Sequence, residues 1–425
     1  MSIRPQAGET RLVAPSRLSP WAWRGLLALL ALAWFGAFAL KPMAFFGLGV
    51  NHLGVWFLDA FAILASNDAA ARGLDPYAPN PLDIFHRPHV YSGWWLYLHP
   101  LGLTRAHTIA VGWTLGLAFL LSVLAFLRPR SARELAWYLA VLLASPILLA
   151  LDRANNDLVV FLLLAAVVPC LMSQRSQWRH FAIVPVALAA GLKFYPAIAG
   201  LVLLAGTDRR EIRLRLLLTI GLFLGVAWSI APDFARLGQL VPRAEGIMSF
   251  GAANLLEAVG LTGRPGTLAG LGLAGAIMIV FLRTRIFDGW KISDQYQSAW
   301  LSFVLGAALL AGCFLTGTNF AYRWIFALWL APFLWHAPRD PLTPARVRRL
   351  AGVTGGLLIA VLWCDTVVSA FISRFMGRVP ADDLVAWADR IFLIEQPLTW
   401  AFFGCLLGFL AHFARGRVQA IFARD

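Results

Sequence analysis

The chain has 425 residues, of which 60% are hydrophobic and 14% charged, with a formal net charge of +14 and a mean hydropathy of +0.70. Soluble proteins run nearer 45–50% apolar and about 25% charged, so a soluble globular enzyme, a disordered tail and a disulfide-built secreted scaffold are excluded. The composition fits an all-α polytopic membrane protein with spans of about 20 apolar residues, and its 18 Trp and 30 Phe suit interfacial aromatic belts.

The N-terminal segment, residues 1–24, carries Arg4, Arg11, Arg17 and Arg24. The apolar run that follows extends towards Val50 without a small-residue cleavage site, so it reads as a retained helix rather than a signal peptide. Apolar runs then predict about twelve helices, near 25–45, 107–127, 135–150, 158–172, 181–192, 197–206, 214–231, 267–282, 297–315, 321–336, 350–369 and 397–414. The runs 181–192 and 197–206 are too short to cross a core of about 30 Å upright at about 1.5 Å per residue. They read as a tilted or re-entrant hairpin with Lys193–Pro196 at its apex, a form tolerated where backbone lines a cavity.

Charge sets the topology. With the N-terminus in the cytoplasm and loops alternating, the cytoplasmic segments hold 23 of the 36 Lys and Arg, and 13 of the 22 acids lie on the other side. This positive-inside pattern places both termini in the cytoplasm, including the tail 415–425, and accounts for the basic balance without nucleic acid. The membrane domain covers 25–414, with long outer loops at 50–106, 232–266 and 370–396. Chemistry is therefore expected on the outer face.

In the first outer loop, Asp59 opens a stretch of helical composition that runs to Arg72 and meets Gly73, reading as a short helix at the membrane surface. Asp59 is then either an acid favoured by the helix dipole or a functional carboxylate. Asp68, nine residues on, falls on a different part of the wheel and reads as a solvated or capping acid. Tyr91-Ser92-Gly93-Trp94-Trp95 suits either a sugar platform or the headgroup belt. His52 stands alone, and His86, His89 and His99 lack metal-ligand spacing, so no metal or other cofactor is indicated. Cys170, Cys313, Cys364 and Cys405 sit singly in apolar runs and read as buried thiols.

Asp152, Arg153, Asn155, Asn156 and Asp157 crowd between two apolar runs. A turn with Asn and Asp caps explains part of this, but five polar groups exceed what a turn needs and read as a lined cavity. Lys193 is the only Lys, Arg, Asp or Glu between Arg179 and Asp208, costly within apolar helix unless it has a partner or a task. Asn319, Tyr322 and Arg323 open a later helix, where Arg323 is either an interfacial anchor or a phosphate-binding fork. No phosphate-cradling loop, dinucleotide fingerprint, G-x-S-x-G or H-E-x-x-H occurs.

Four motifs in order carry a resemblance. They are an acid fourteen residues before a G-x-D-P-Y turn (Asp59, Gly73–Tyr77), the polar hairpin Asp152–Asp157, the run Lys193-Phe194-Tyr195-Pro196, and the Asn-x-x-Tyr-Arg sequence at Asn319–Arg323. Over roughly residues 50–335 the chain resembles the GT-C superfamily of polyprenyl-phosphate-sugar glycosyltransferases, nearest to glycosyltransferase family 87, the mannosyltransferase-like type. Asn254 corresponds to a family Asn-rich motif, although Leu255 and Leu256 replace the polar residues that usually follow.

The resemblance implies a GT-C fold in a bacterial cytoplasmic membrane. Its activity would be transfer of mannose or a similar sugar from a polyprenyl phosphate to a lipid or glycan acceptor at the outer face, periplasmic or exterior. Asp59 would be the base. Lys193, Arg323 and Tyr195 would hold the donor phosphate. Asp68, Arg153, Asn155, Asn156, Asp157, Asn254, Asn319 and Tyr322 would line the substrate cavity. A transporter or lipid flippase shares the broken helices and cavity-facing charges and stays open as the alternative, against which stand the long first outer loop and the absence of visible repeats. A non-catalytic membrane scaffold is the other.

Overall fold

The computed structural model describes residues 18–206, 208–244, 246 and 249–422. Residues 1–17 of the basic N-terminal segment and 423–425 of the tail lie outside the described residues. The described chain is almost wholly helical, and its one sheet is a two-residue pair.

The elements begin and end where local chemistry dictates. Helix α1 (Pro20–Leu40) starts on Ser19, whose hydroxyl accepts from Ala22 N at 3.2 Å, and stops at Lys41 before Pro42, five residues short of the expected end because proline cannot continue the ladder. Helix α2 (Leu58–Ala71) gives way at Gly73, whose φ of 74° only glycine adopts freely. Next come α3 (Thr108–Phe126), α4 (Ala132–Leu142) and α5 (Ser145–Arg153). Ser131 caps α4, and the α4–α5 pair bends by 51° at Leu143–Ala144, ahead of Pro146. The run expected at 135–150 is thus two helices.

Helices α6 (Asp157–Ala165), α7 (Val167–Leu171), α8 (Ser176–Phe181) and α9 (Ile183–Leu192) are short. A 3₁₀ helix, Tyr195–Leu204, follows α9 directly and packs on it, so the expected break at Lys193–Pro196 is present. The long α10 (Arg209–Leu240) is capped by Asp208. After strand β1 (Ser249–Phe250) come α11 (Ala252–Ala258), α12 (Gly263–Arg283) and α13 (Gln297–Thr316). Strand β2 (Asn319–Phe320), the 3₁₀ helix Ala321–Trp329 and α14 (Ala331–His336) lead to α15 (Ala345–Phe375) and α16 (Ala381–Phe422).

Seven of the described helices are long and apolar enough to cross a bilayer, eight if the bent α4–α5 pair is one span. The expectation of about twelve counted every apolar run. The runs 158–172, 181–192, 197–206 and 321–336 are apolar but fold as short α-helices or 3₁₀ segments, none long enough to cross alone. The chain is a multi-pass membrane protein by these helices.

Helix α13 forms the axis. Fourteen of its twenty residues are buried, as expected for a helix apolar on all sides. It packs against the 3₁₀ helices Tyr195–Leu204 and Ala321–Trp329 and against α16. Helices α1, α3 and α12 are mostly exposed apolar surface. The ends of α5, α6, α9 and α13 meet at one end of this bundle, and there the polar residues collect.

Candidate functional site

Asp157, the first residue of α6, has no solvent exposure. Its Oδ1 accepts from Lys193 Nζ at 2.6 Å and from the Tyr195 hydroxyl at 2.7 Å. Its Oδ2 lies 3.7 Å from Arg323 Nε. One carboxylate therefore faces two cations. Charges at such depth persist only when paired and hydrogen-bonded.

The network continues on both sides. Lys193 Nζ also reaches Asn155 Oδ1 at 3.3 Å, and Asn155 Nδ2 donates to Asp59 Oδ2 at 2.6 Å. Asn155 Oδ1 accepts from Asp157 N at 2.9 Å, closing the short turn between α5 and α6. On the other side, Arg323 Nη1 donates to Asn319 Oδ1, and Asn319 Nδ2 is anchored on the carbonyls of Cys313 and Gly317 at 2.6 and 2.9 Å. The Arg323 guanidinium lies 4.5 Å from the centre of the Tyr195 ring, and Lys193 Nζ lies 5.6 Å from the rings of Tyr91 and Tyr322, within cation–π range.

Asp59 is in the first turn of α2, where it meets the helix dipole, and it also joins the polar cluster. Its carboxylate retains 13% exposure and Arg323 20%, against none for Asp157. The accessible groups are the acid and the guanidinium, with Asp157 beneath them. Both side-chain polar atoms of Asn156 are buried without a hydrogen-bond partner; Asp157 Oδ2 and Arg323 Nε face each other as an ion pair but likewise make no hydrogen bond. Such orphan atoms clustered together mark a place built for further polar company.

Backbone strain gathers at the same place. The non-glycine residues with positive φ are Phe57 (61°), His86 (52°) and Ala154 (41°) among the described residues. Each stands within two positions of a network residue: Asp59, Arg87 and Asn155. Left-handed backbone costs of order 1–3 kcal/mol per residue and collects at functional sites.

Several sequence candidates lie elsewhere. Asp68 is buried rather than solvated, 3.6 Å from Arg105 Nε and accepting from Arg105 N at 3.3 Å. Nine residues separate it from Asp59, about half a turn out of phase at 3.6 residues per turn. It anchors the end of the first loop. Arg153 turns to Asp152, with Nε 3.7 Å from Oδ2. Asn254 donates to Ser249 Oγ at 3.3 Å; it supports β1, which pairs with the Asn319-bearing β2. Asn155, Asp157, Lys193, Tyr195, Asn319, Tyr322 and Arg323 do come together with Asp59.

Sequence reading missed several groups. His52 is not alone: its Nδ1 lies 2.5 Å from Asp152 Oδ1. Arg87 spans Asp83 and Asp59, with Nη2 2.8 Å from Asp83 Oδ2 and Nη1 3.9 Å from Asp59 Oδ1. Burial raises the Asp83 carboxyl, but hydrogen bonds from Arg87 and from Phe85 N outweigh it and hold it below the usual range. The Tyr91–Trp95 stretch folds inwards. Trp95 Nε1 donates to Leu192 O at 3.1 Å and Gly93 N to Asp233 at 2.7 Å, which brings Tyr91 over Lys193. Burial, then the nearby Asp59, raises the Tyr91 hydroxyl well above its usual range, so it stays protonated. All four cysteines are free thiols, and Cys313 Sγ lies 3.7 Å from Arg323.

Beside this network an apolar cavity of about 410 Å³ opens between α9, the 3₁₀ helix Tyr195–Leu204 and α10, lined among others by Phe194, Ala197, Phe223 and Ile230. Phe194, next to Lys193, links the two. The arrangement gathers two acids and two cations in one cluster, and the apolar cavity begins at the residue after Lys193. Comparison with protein-family models, curated proteins and solved structures finds no match for this chain.

Proposed function

We propose that this chain is an inverting glycosyltransferase of the GT-C fold in a bacterial cytoplasmic membrane. It moves a sugar, mannose or similar, from a polyprenyl phosphate to a lipid or glycan acceptor at the outer face. The observation that carries this reading is the convergence of Asp59, Asn155, Lys193, Asp157 and Arg323 in one hydrogen-bonded cluster beside an apolar slot.

The chemistry follows from the cluster. Asp59, held by Asn155, takes the proton of an acceptor hydroxyl as that oxygen attacks the anomeric carbon. The bond from that carbon to the phosphate oxygen breaks, its electron pair leaves with the polyprenyl phosphate, and the anomeric centre inverts. Lys193 and Arg323 stabilise the charge that grows on the departing phosphate. Asp157 fixes both cations in advance without cancelling them. The slot along α10 takes the first isoprene units. Such a donor is activated by its own phosphate ester, so no nucleotide site is required.

The test reconstitutes purified protein with radiolabelled polyprenyl-phosphate sugars and a lipid and glycan acceptor extract, with wild type beside Asp59→Asn. Transfer of one sugar by wild type alone, with both proteins melting alike, is the expected result. Transfer that survives in Asp59→Asn removes Asp59 as base. Lipid counterflow without transfer replaces the enzyme with a transporter.

A further inference from the structure

A second cavity, of about 550 Å³, belongs to the other end of the bundle. The Asp157 network sits past the C-terminus of α13, at Asn319. This cavity is lined by Gln295, Tyr296, Ser298, Ala299, Ser302 and Leu305, in the first half of α13 and just before it. From Leu305 to the end of α13 at Thr316, the helix separates the two by about 17 Å. The cavity also touches the C-terminal ends of α3 and α6, together with α7 and α14, whereas the network uses the opposite end of α6.

Its walls divide by chemistry. Leu164, Val168, Leu305 and Trp329 form a buried apolar interior, and Arg128, Arg130, Tyr296 and His336 line it on the loop side. Both arginines are exposed. Among the described residues neither is in an ion pair; Arg128 Nε spends one bond on Ala125 O at 3.1 Å. The nearest acid, Glu134, is turned inwards and occupied. Its Oε1 accepts from the Tyr138 hydroxyl at 2.9 Å and its Oε2 from Arg130 N at 2.9 Å. Trp137 and Trp335 lie with ring centres 6.4 Å apart nearby, and Arg339 covers Trp335 at 3.3 Å. Paired indoles with cations mark headgroup depth. Adjoining loops at 128–134 and 337–349 hold three and four basic residues.

We infer that this cavity is a binding site for an anionic phospholipid, separate from the proposed catalytic site. The phosphodiester sits between Arg128 and Arg130, and an acyl chain fills the slot against Leu305 and Trp329. Charge complementarity selects the occupant: two unpaired guanidinium groups above an apolar slot between membrane helices favour an anionic headgroup over a zwitterionic one. The site ties α3, α7 and α13 together from the lipid side.

The experiment titrates the purified full chain in detergent with phosphatidylglycerol, phosphatidylcholine or inorganic phosphate, and reads apparent melting temperature and bound lipid by native mass spectrometry. Phosphatidylglycerol is expected to form a one-to-one adduct and raise the melting temperature, while phosphatidylcholine and phosphate do neither. Arg128→Gln with Arg130→Gln shifts the titration midpoint at least tenfold. Ala299→Trp, which fills the slot and keeps both arginines, removes the adduct. Equal binding of phosphatidylcholine, stabilisation by phosphate alone, or a wild-type midpoint in the variants overturns the inference. Should the arginine pair fail to fold, Ala299→Trp decides alone, and an adduct retained there overturns it.

Discussion

Lys193 Nζ lies 2.6 Å from Asp157 Oδ1, and the other oxygen of that carboxylate lies 3.7 Å from Arg323 Nε. A single acid without solvent exposure thus holds two cations that approach it from different elements, the end of α9 and the 3₁₀ helix after β2. Breaking a buried pair by removing one member costs about 3–5 kcal/mol, because the remaining charge is stranded. Asp157→Asn is therefore expected to lower the apparent melting temperature sharply. Asp157→Asn with Lys193→Met recovers part of the loss, since the stranded ammonium is gone, yet transfers no sugar. Wild-type melting in the single variant would show that this ion pair does not balance the cluster.

Asn155 is the joint between base and cations. It donates to Asp59 at 2.6 Å and accepts from Lys193 at 3.3 Å. It touches no reacting atom in the proposed mechanism and acts by positioning Asp59. A misplacement of about 1 Å costs on the order of 10²-fold in rate. Asn155→Ala is expected to lower kcat by about that factor with KM changed little. Steady-state kinetics on the reconstituted enzyme separates the two; a rise in KM with unchanged kcat would make Asn155 a donor-binding group instead.

Sequence and structure agree most where a signal was local. The helix from Asp59 to Gly73, the break at Lys193 and the turn at Asp152–Asp157 each had their own capping or breaking residues, and each is present. What periodicity did not carry is continuity. An apolar run reads the same whether it is one span, as in α13, or a bent pair, as in α4–α5. Long-range partners were equally hidden. Nothing in the spacing of His52 and Asp152, a hundred residues apart, announces their 2.5 Å contact. Nor does any local pattern announce the reach of Arg87 to both Asp83 and Asp59. The burial of Asp68 against Arg105, apart from the Asp59 cluster, is likewise a matter of tertiary packing.

His89 carries a pH dependence in the first loop. Burial, partly offset by its bond to Ser92 O at 3.1 Å and by Asp233, pushes its imidazole down to about 4. Unfolded histidine titrates near 6.5, so between about 6.5 and 4 the unfolded chain binds a proton that the native chain does not. Stability contributed by neutral His89 is then complete above about 6.5 and declines as pH falls to about 4. The apparent melting temperature should drop across that window, and His89→Gln should flatten the drop. An unchanged slope in the variant would place the titrating group elsewhere. Asp83, whose carboxyl is depressed, adds its own loss only below its unfolded value, near 4.

Ala154 ends α5 at φ 41°, ψ 50°, with its N–H bonded to Leu151 O at 3.0 Å, and the neighbouring Asn155 N reaches Ala150 O at 3.0 Å. This is a left-handed helix terminus, where glycine is the usual residue. Alanine there bears the Cβ strain and, through it, fixes where Asn155 emerges. Ala154→Gly relieves strain of about 1 kcal/mol and surrenders one buried methyl that packs with Phe57 and Ala60. The two effects are close in size, so the melting temperature is expected to stay within a few degrees of wild type. Activity behaves differently, because glycine frees the turn that aims Asn155 at Asp59 and Lys193. The variant is expected to keep donor affinity and lose several-fold in kcat. If kcat is unchanged while stability rises, the strain at Ala154 serves the fold of the α5–α6 turn and not the placement of the base.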